Sequence, residues 1–217
     1  MSKLKLGVLI SGRGSNLQAL IDACAVPGFP AEIALVLSNK ADAFGLERAS
    51  KAGIATAVVD HRDHPGDKPA FEAAMDSTLR QAGVELVCLA GFMRLLSPWF
   101  VGRWQDSLIN IHPSLLPSFK GLHTHERALA TGVRFHGCTV HYVRPEMDDG
   151  PIIAQAAVPV LPGDDADRLA GRVLEAEHLL YPHAVRLIAE GRARVDGDVV
   201  WIDGPAPDLA TMVNPPL

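Results

Sequence analysis

Short apolar runs alternate with amphipathic stretches through the first half of the chain. Leu4–Ile10, Ile33–Leu37, Thr56–Val59 and Val84–Leu89 are apolar and bounded by turn residues, which predicts buried strands. Between them Asn16–Ala25, Phe44–Ala52 and Phe71–Gln81 carry helical spacing, with Gly53 and Gly83 as helix stops. This alternation predicts βαβ units and a parallel sheet covered by helices. Its ligand crevice then belongs at the carboxyl ends of the strands.

The second half is more mixed. Leu108–Ile111 predicts another strand, Glu126–Ala130 part of a short helix, and Thr139–Val143 and Ile152–Val160 two further strands. Asp165–Glu190 predicts a long helix, with Leu169, Val173, Ala176, Leu180 and Leu187 near one face. Pro182 lies inside it, where proline kinks or ends a helix. Val199–Ile202 predicts a closing strand, followed by a proline-rich irregular tail over 204–217. The chain has no internal repeat, no low-complexity tract and no interdomain linker.

Composition narrows the class. A chain of 217 residues, 48% apolar and 21% charged, can bury its own core. A net charge of −5 argues against nonspecific nucleic-acid binding, which needs clustered Lys and Arg. The N-terminal apolar run is too short for a membrane span and lacks a secretory signal's pattern. Cys24, Cys88 and Cys138 are widely spaced and odd in number, which predicts a reducing compartment, the cytoplasm.

Candidate chemistry starts at the first strand–helix turn, Ser11-Gly12-Arg13-Gly14-Ser15-Asn16. Glycines there permit close backbone approach, and the helix start offers free N–H groups to a phosphate. The plain alternative is a turn that needs glycine for steric reasons. A dinucleotide fingerprint would want glycine at Leu17 and an acid after strand two, where Ser38-Asn39-Lys40 stands. A P-loop would want Gly-Lys-Ser/Thr, which is absent. A single phosphate on a small ligand fits better.

Asn110-Ile111-His112-Pro113-Ser114-Leu115-Leu116-Pro117 is the most informative stretch. In an extended segment Asn110 and His112 share a face, and an amide beside an imidazole suits a developing oxyanion. A polar strand end is the alternative. Downstream, Met147-Asp148-Asp149-Gly150-Pro151 suggests a carboxylate on a tight loop; an acid near His112 favours the charged ring. Asp-Gly is equally a common turn pair. His123 and His125 would share a face if extended, yet no metal motif accompanies them, so no metal is expected and loop or substrate contacts remain.

In order along the chain, these segments resemble the phosphoribosylglycinamide formyltransferases, a family of folate-dependent formyl-transfer enzymes. The likeness spans about residues 5 to 203. It rests on Ile10–Leu17, Ser38–Leu46, Leu89–Leu96, Asn110–Pro117, Gly121–His125 and the Asp148 loop. It implies a single-domain α/β, Rossmann-like formyltransferase fold over 1–203, its mostly parallel twisted sheet flanked by helices and its C-terminal half mixed. The phosphate substrate would sit on the N-terminal side and the folate on the C-terminal side.

The resemblance implies Asn110, His112 and Asp148 as the catalytic trio. Gly14, Ser15 and Asn16 would cradle phosphate, with Leu17 and Gln18 completing the segment. Leu174, Glu175, Ala176 and Glu177 would hold the acceptor, Glu177 at its amine. The plain alternative for Glu177 is a solvated helix charge. Met93, Arg94, Leu95, Leu96, Asn110, Arg144, Pro145, Glu146, Met147 and Asp148 would line the folate site. Lys68 falls where the family often has arginine, Pro145 where an acid is usual, and Cys138 where a small hydroxyl residue is common.

The implied cosubstrate is 10-formyltetrahydrofolate and the implied acceptor glycinamide ribonucleotide, with no metal, nucleic acid or membrane, in a monomer or homodimer. Methionyl-tRNA formyltransferase and formyltetrahydrofolate hydrolase share the Asn-x-His and Asp elements. The first normally brings a basic C-terminal extension and the second an N-terminal regulatory domain. A non-catalytic folate- or nucleotide-binding module would not need the three residues together.

Overall fold

The computed structural model describes residues 2–204 and Asn214; the rest of the tail expected at 204–217 lies outside the described residues. The chain divides into two compact units, Met1–Asn110 with Tyr142–Pro145, and Ile111–His141 with Glu146–Leu217.

The first unit follows the strand–helix alternation. It contains β1 (Leu4–Ile10), α1 (Ser15–Ala25), β2 (Ala31–Ser38), α2 (Phe44–Lys51) and β3 (Thr56–Val58). After a single 3-10 turn at His61–Asp63 come α3 (Lys68–Gln81), β4 (Leu86–Leu89) and α4 (Pro98–Arg103). The strand β5 (Leu108–His112) begins here and ends in the second unit. Strand order is β3-β2-β1-β4-β5, every pairing parallel. The chain steps outward from β1 to β3, then returns to lay β4 on the other side of β1. That reversal opens a crevice at the carboxyl ends of β1 and β4.

Leu9, Leu35, Leu37, Val87, Leu89 and Leu108 bury against Phe71, Met75 and Leu79 of α3 and against Phe100, Val101 and Trp104. The spacing of Phe71, Met75 and Leu79 puts one face of α3 inward. The helix starts three residues earlier than its apolar pattern indicates, because the Asp67 carboxylate accepts from Ala70 N at 2.9 Å and Pro69 suits a first turn. The short α4 escaped the sequence reading. Its N-cap Ser97 donates its hydroxyl to buried Glu72, which also accepts from Ser97 N at 2.7 Å. Buried Asp76 adds ion pairs to Arg103 at 2.9 Å and Arg80 at 3.4 Å. Two carboxylates on α3 thus hold α4 through partners distant in sequence.

The second unit contains α5 (Thr124–Thr131), β6 (Phe135–Tyr142), β7 (Ile152–Pro159), α6 (Ala166–Ala189), β8 (Ala193–Asp196) and β9 (Val199–Ile202). In the sheet order β6 and β7 follow β5, and they pair antiparallel. β6 begins four residues before the expected strand, because Gly137 interrupts the apolar run without breaking the ladder. A Cβ on Gly137 would stand 1.9 Å from Ala156 O, so glycine lets the two backbones meet.

α6 packs on β7 and runs unbroken through Pro182, so the proline does not end it. Tyr181 just before the proline and Ala184, Val185 and Leu187 beyond it are all buried. Their burial outweighs the cost of about 3 kcal/mol for an internal proline. The unforeseen β8 pairs with β9 through Gly197, at φ 60°. No helix among the described residues is long and apolar enough to cross a membrane.

Candidate active site

The glycine loop ends β1 and starts α1. Gly14 is the N-cap of α1, at φ 69° and ψ 37°, a left-handed conformation suited to glycine. A Cβ there would stand 2.8 Å from Gly45 Cα, and Gly45 N donates to Gly12 O at 3.0 Å. The start of α2 therefore presses backbone to backbone against the loop. Arg48 of α2 donates to Arg13 O at 2.9 Å and to Gln18 Oε1 at 3.2 Å. Gln18 Nε2 is turned to Asp22 at 2.8 Å. Asn16 is buried and Ser15 half-buried, whereas the Leu17 side chain is fully in the core. Leu17 can offer a ligand only its backbone.

Within the second unit, His112 at the end of β5 is 5% exposed. Its Nδ1 lies 3.4 Å from Asp148 Oδ2, and its Nε2 lies 3.1 Å from Phe119 O. Both neighbours are acceptors. A neutral ring can satisfy one of them, and only an imidazolium satisfies both. The carboxylate's Oδ2 also accepts from Gly121 N at 2.8 Å, and its Oδ1 lies 3.9 Å from His141 Nε2. Asp148 holds φ 52°, which an aspartate tolerates better than most residues. Asn110 stands two residues before His112 on β5, on the same strand face. Thr139 steadies the chain after His112: its hydroxyl donates to Ser114 O at 2.7 Å and accepts from Leu116 N at 3.0 Å. An amide and an imidazole on one strand face are donors that can stabilise an oxyanion.

A second histidine cluster backs this pair. His136 is 1% exposed, its ring edge-on to Phe119 and to His125 at centroid distances of 5.8 and 5.3 Å. Burial first, then the neighbouring His125 and His112, lower the His136 pKa to about 4. Burial lowers that of His125 too. Folded His136 thus resists protonation until well below the value near 6.5 of an unfolded chain. Between those pH values the unfolded state binds more protons, so stability falls as pH drops from 6.5 toward 4. The full effect is roughly 3 kcal/mol. Urea unfolding from pH 7 to 4.5 should show this slope in the wild type and a flatter one in His136→Phe. Equal slopes would remove His136 as the source.

The metal-free expectation for His123 and His125 meets a different geometry from the one assumed. His123 is left-handed at φ 57° and caps α5, while His125 lies inside the helix, so the two do not share an extended face. His123 Nδ1 faces Glu126 Oε1 at 3.4 Å, whereas His125 turns to His136. Among the described residues no group of three or more His, Cys, Asp or Glu side chains could hold a metal ion.

On α6, Glu177 is 6% exposed, which overturns the solvated-charge alternative. Leu174 and Ala176 are half-buried and Glu175 is exposed. On the loop after β4, Met93 and Leu95 are more than two-thirds exposed, Arg94 is exposed and Leu96 half-buried. The Arg144 guanidinium is committed to Asp106 at 2.6 Å, while Pro145, Glu146 and Met147 face solvent. Lys68 Nζ lies 3.9 Å from Glu72.

Sequence reasoning missed the surroundings of Lys68. With Arg94 and Leu95 it lines a cavity of about 340 Å³ whose other walls include His61, Arg62, His64 and Phe71. The nitrogen-bearing side chains of His61, Arg62 and His64, just before a capped helix, were the available signal.

The family model described as formyl transferase matches residues 4–185. The trifunctional purine biosynthetic protein adenosine-3 of Gallus gallus is 51% identical over 202 residues, covering 92% of this chain. This chain spans only 20% of that relative's length. The phosphoribosylglycinamide formyltransferase of Escherichia coli is 46% identical over 206 residues, covering 93% of this chain and 94% of the relative. The crystal structure of glycinamide ribonucleotide transformylase 1 from Symbiobacterium toebii superposes with a TM-score of 0.89 at 48% identity, covering 92% of this chain and 94% of that one. The chain belongs to the phosphoribosylglycinamide formyltransferases, within the folate-dependent formyl transferase family.

Proposed function

We propose that this protein transfers the formyl group of 10-formyltetrahydrofolate to the amine of glycinamide ribonucleotide, giving formylglycinamide ribonucleotide and tetrahydrofolate in purine biosynthesis. The observation that carries the reading is His112 held between two acceptors, Asp148 and the Phe119 carbonyl, with Asn110 two residues before it on the same strand face. The amine nitrogen attacks the formyl carbon, and its C=O electrons move to oxygen. The Asn110 amide and the protonated His112 ring, its Nε2–H turning from the Phe119 carbonyl to the incoming oxygen, stabilise that oxyanion. As the oxyanion collapses, the bond from carbon to N10 of the folate breaks. N10 gains a proton and the former amine loses one, through His112 or water. The folate is a cosubstrate, and neither a metal nor a covalent enzyme intermediate takes part.

In this reading Gly14, Ser15 and Asn16 take the acceptor phosphate and Glu177 its amine. Met93–Leu96 and the Asp148 loop take the folate. Small molecules are the partners, the chain acts as a monomer or homodimer, and the compartment is the cytoplasm. Three free thiols support a reducing compartment; burial pushes Cys138 up to about 12 and Cys24 to about 11.

The test is an acceptor panel with 10-formyltetrahydrofolate, monitoring both tetrahydrofolate and formate. Formylation of glycinamide ribonucleotide, with little formate released in its absence, is expected. Preferred transfer to another amine, or rapid formate release without any acceptor, would overturn the assignment.

A further inference from the structure

A buried hydrogen-bond chain crosses the crevice at the carboxyl ends of β1 and β4. Ser11, the first residue beyond β1, is 6% exposed, and Asn39, the first beyond β2, is 1% exposed. Ser11 Oγ donates to Asn39 Oδ1 at 2.6 Å, and Met93 N donates to Ser11 Oγ at 2.8 Å. Asn39 Nδ2 in turn lies 3.3 Å from His61 Nδ1, beside the cavity lined by Lys68 and Arg94. A serine hydroxyl has one proton and two lone pairs. With its proton given to Asn39, the oxygen is left to receive the Met93 amide.

Two features set this relay apart from ordinary packing. The segment Gly91–Leu96 has neither helix nor strand to hold it, and the Met93 and Leu95 side chains are largely exposed. Its backbone position therefore depends on anchors such as this one. A polar pair buried at the end of a parallel sheet also carries a desolvation cost that only its hydrogen bonds offset, so removing Ser11 Oγ would strand the Met93 amide.

We infer that Ser11, oriented by Asn39, is a positioning residue that sets the folate-side loop Gly91–Leu96 through the Met93 amide. This rests on reading Met93, Arg94, Leu95 and Leu96 as folate contacts. Ser11 itself touches neither reacting group. It acts 82 positions away in sequence, from the segment that continues into the glycine loop.

Steady-state kinetics with 10-formyltetrahydrofolate and glycinamide ribonucleotide, together with amide hydrogen exchange at Met93, test the inference. In Ser11→Ala the folate KM should rise about tenfold, as expected for an amide losing its acceptor, and Met93 exchange should quicken. The acceptor KM should stay within twofold and kcat within threefold. Ser11→Thr, which keeps the hydroxyl, should recover most of the folate affinity. Asn39→Ala should move the folate KM in the same direction by less, because the freed hydroxyl can still accept from Met93. If Ser11→Ala does not fold, Asn39→Ala and Ser11→Thr carry the comparison.

An unchanged folate KM in Ser11→Ala overturns the inference, as does unaltered Met93 exchange. Equal rises in both KM values with a lowered Tm also overturn it, because general loosening would then explain the result. Wild-type turnover in the same assay separates failure of the formyl-transfer reading from failure of this one. Calorimetric binding of a folate analogue to the same variants reads the loop whichever amine is the acceptor.

Discussion

Replacing Asp148 by Asn is expected to lower kcat by about 10²–10³-fold while substrate binding changes only a few-fold. Asparagine tolerates the left-handed backbone that Asp148 adopts at φ 52°, and its amide oxygen can keep the bond from Gly121 N. The charge 3.4 Å from His112 Nδ1 is lost. Without it, the ring's Nδ1 faces a weaker, uncharged acceptor. The ring then loses the negative charge that orients it and balances positive charge on it as the oxyanion forms. The lost interaction is strongest in the transition state, so kcat carries the effect. A kcat within a few-fold of wild type would reduce Asp148 to a loop-shaping residue. Stopped-flow or steady-state turnover at saturating folate and acceptor is sufficient to decide.

The second large effect is expected at Gly14. Valine there must hold a positive φ of 69°, where a β-branched residue is strained, and its Cβ would meet Gly45 Cα at 2.8 Å. The loop must shift, taking with it the N–H groups at the start of α1. Losing one or two charge-assisted bonds to a phosphate is worth about 2–3 kcal/mol, or about a 30- to 150-fold weaker acceptor. Folate-analogue affinity should change much less. Gly14→Ala keeps the strain with less bulk and serves if the valine variant folds poorly. Acceptor affinity at the wild-type level in either folded variant, measured by calorimetry, would sink the phosphate assignment.

Much of this architecture is local and therefore legible in the chain. Alternating apolar runs mark β1, β2 and β4 because each is buried against helices. Phe71, Met75 and Leu79 mark α3 because a helix returns every fourth residue to one face. Gly14 and the pair Asn110 and His112 stand out for similar reasons: backbone geometry and strand alternation are properties of a few neighbouring residues. Where local pattern and burial diverge, the elements were displaced or missed. Gly137 hid the start of β6, and α4 is too short to show a period.

Roles belonging to the site were legible at a coarser level. The order of Asn110, His112 and Asp148 along the chain pointed to the family, but no spacing could tell a turn aspartate from a partner of His112. The same holds for Glu177, whose burial depends on what α6 packs against.

The sequence by itself thus determined the alternation of elements, the glycine turn and the shared strand face of Asn110 and His112, all set by torsions and burial within a turn or strand. Only the tertiary structure decided that Asp148 and the Phe119 carbonyl flank the His112 ring, that His136 is sealed between Phe119 and His125, and that Ser11 receives the Met93 amide. Those contacts join residues up to 82 positions apart. Their energies depend on dielectric and distance, which exist only once the chain has closed.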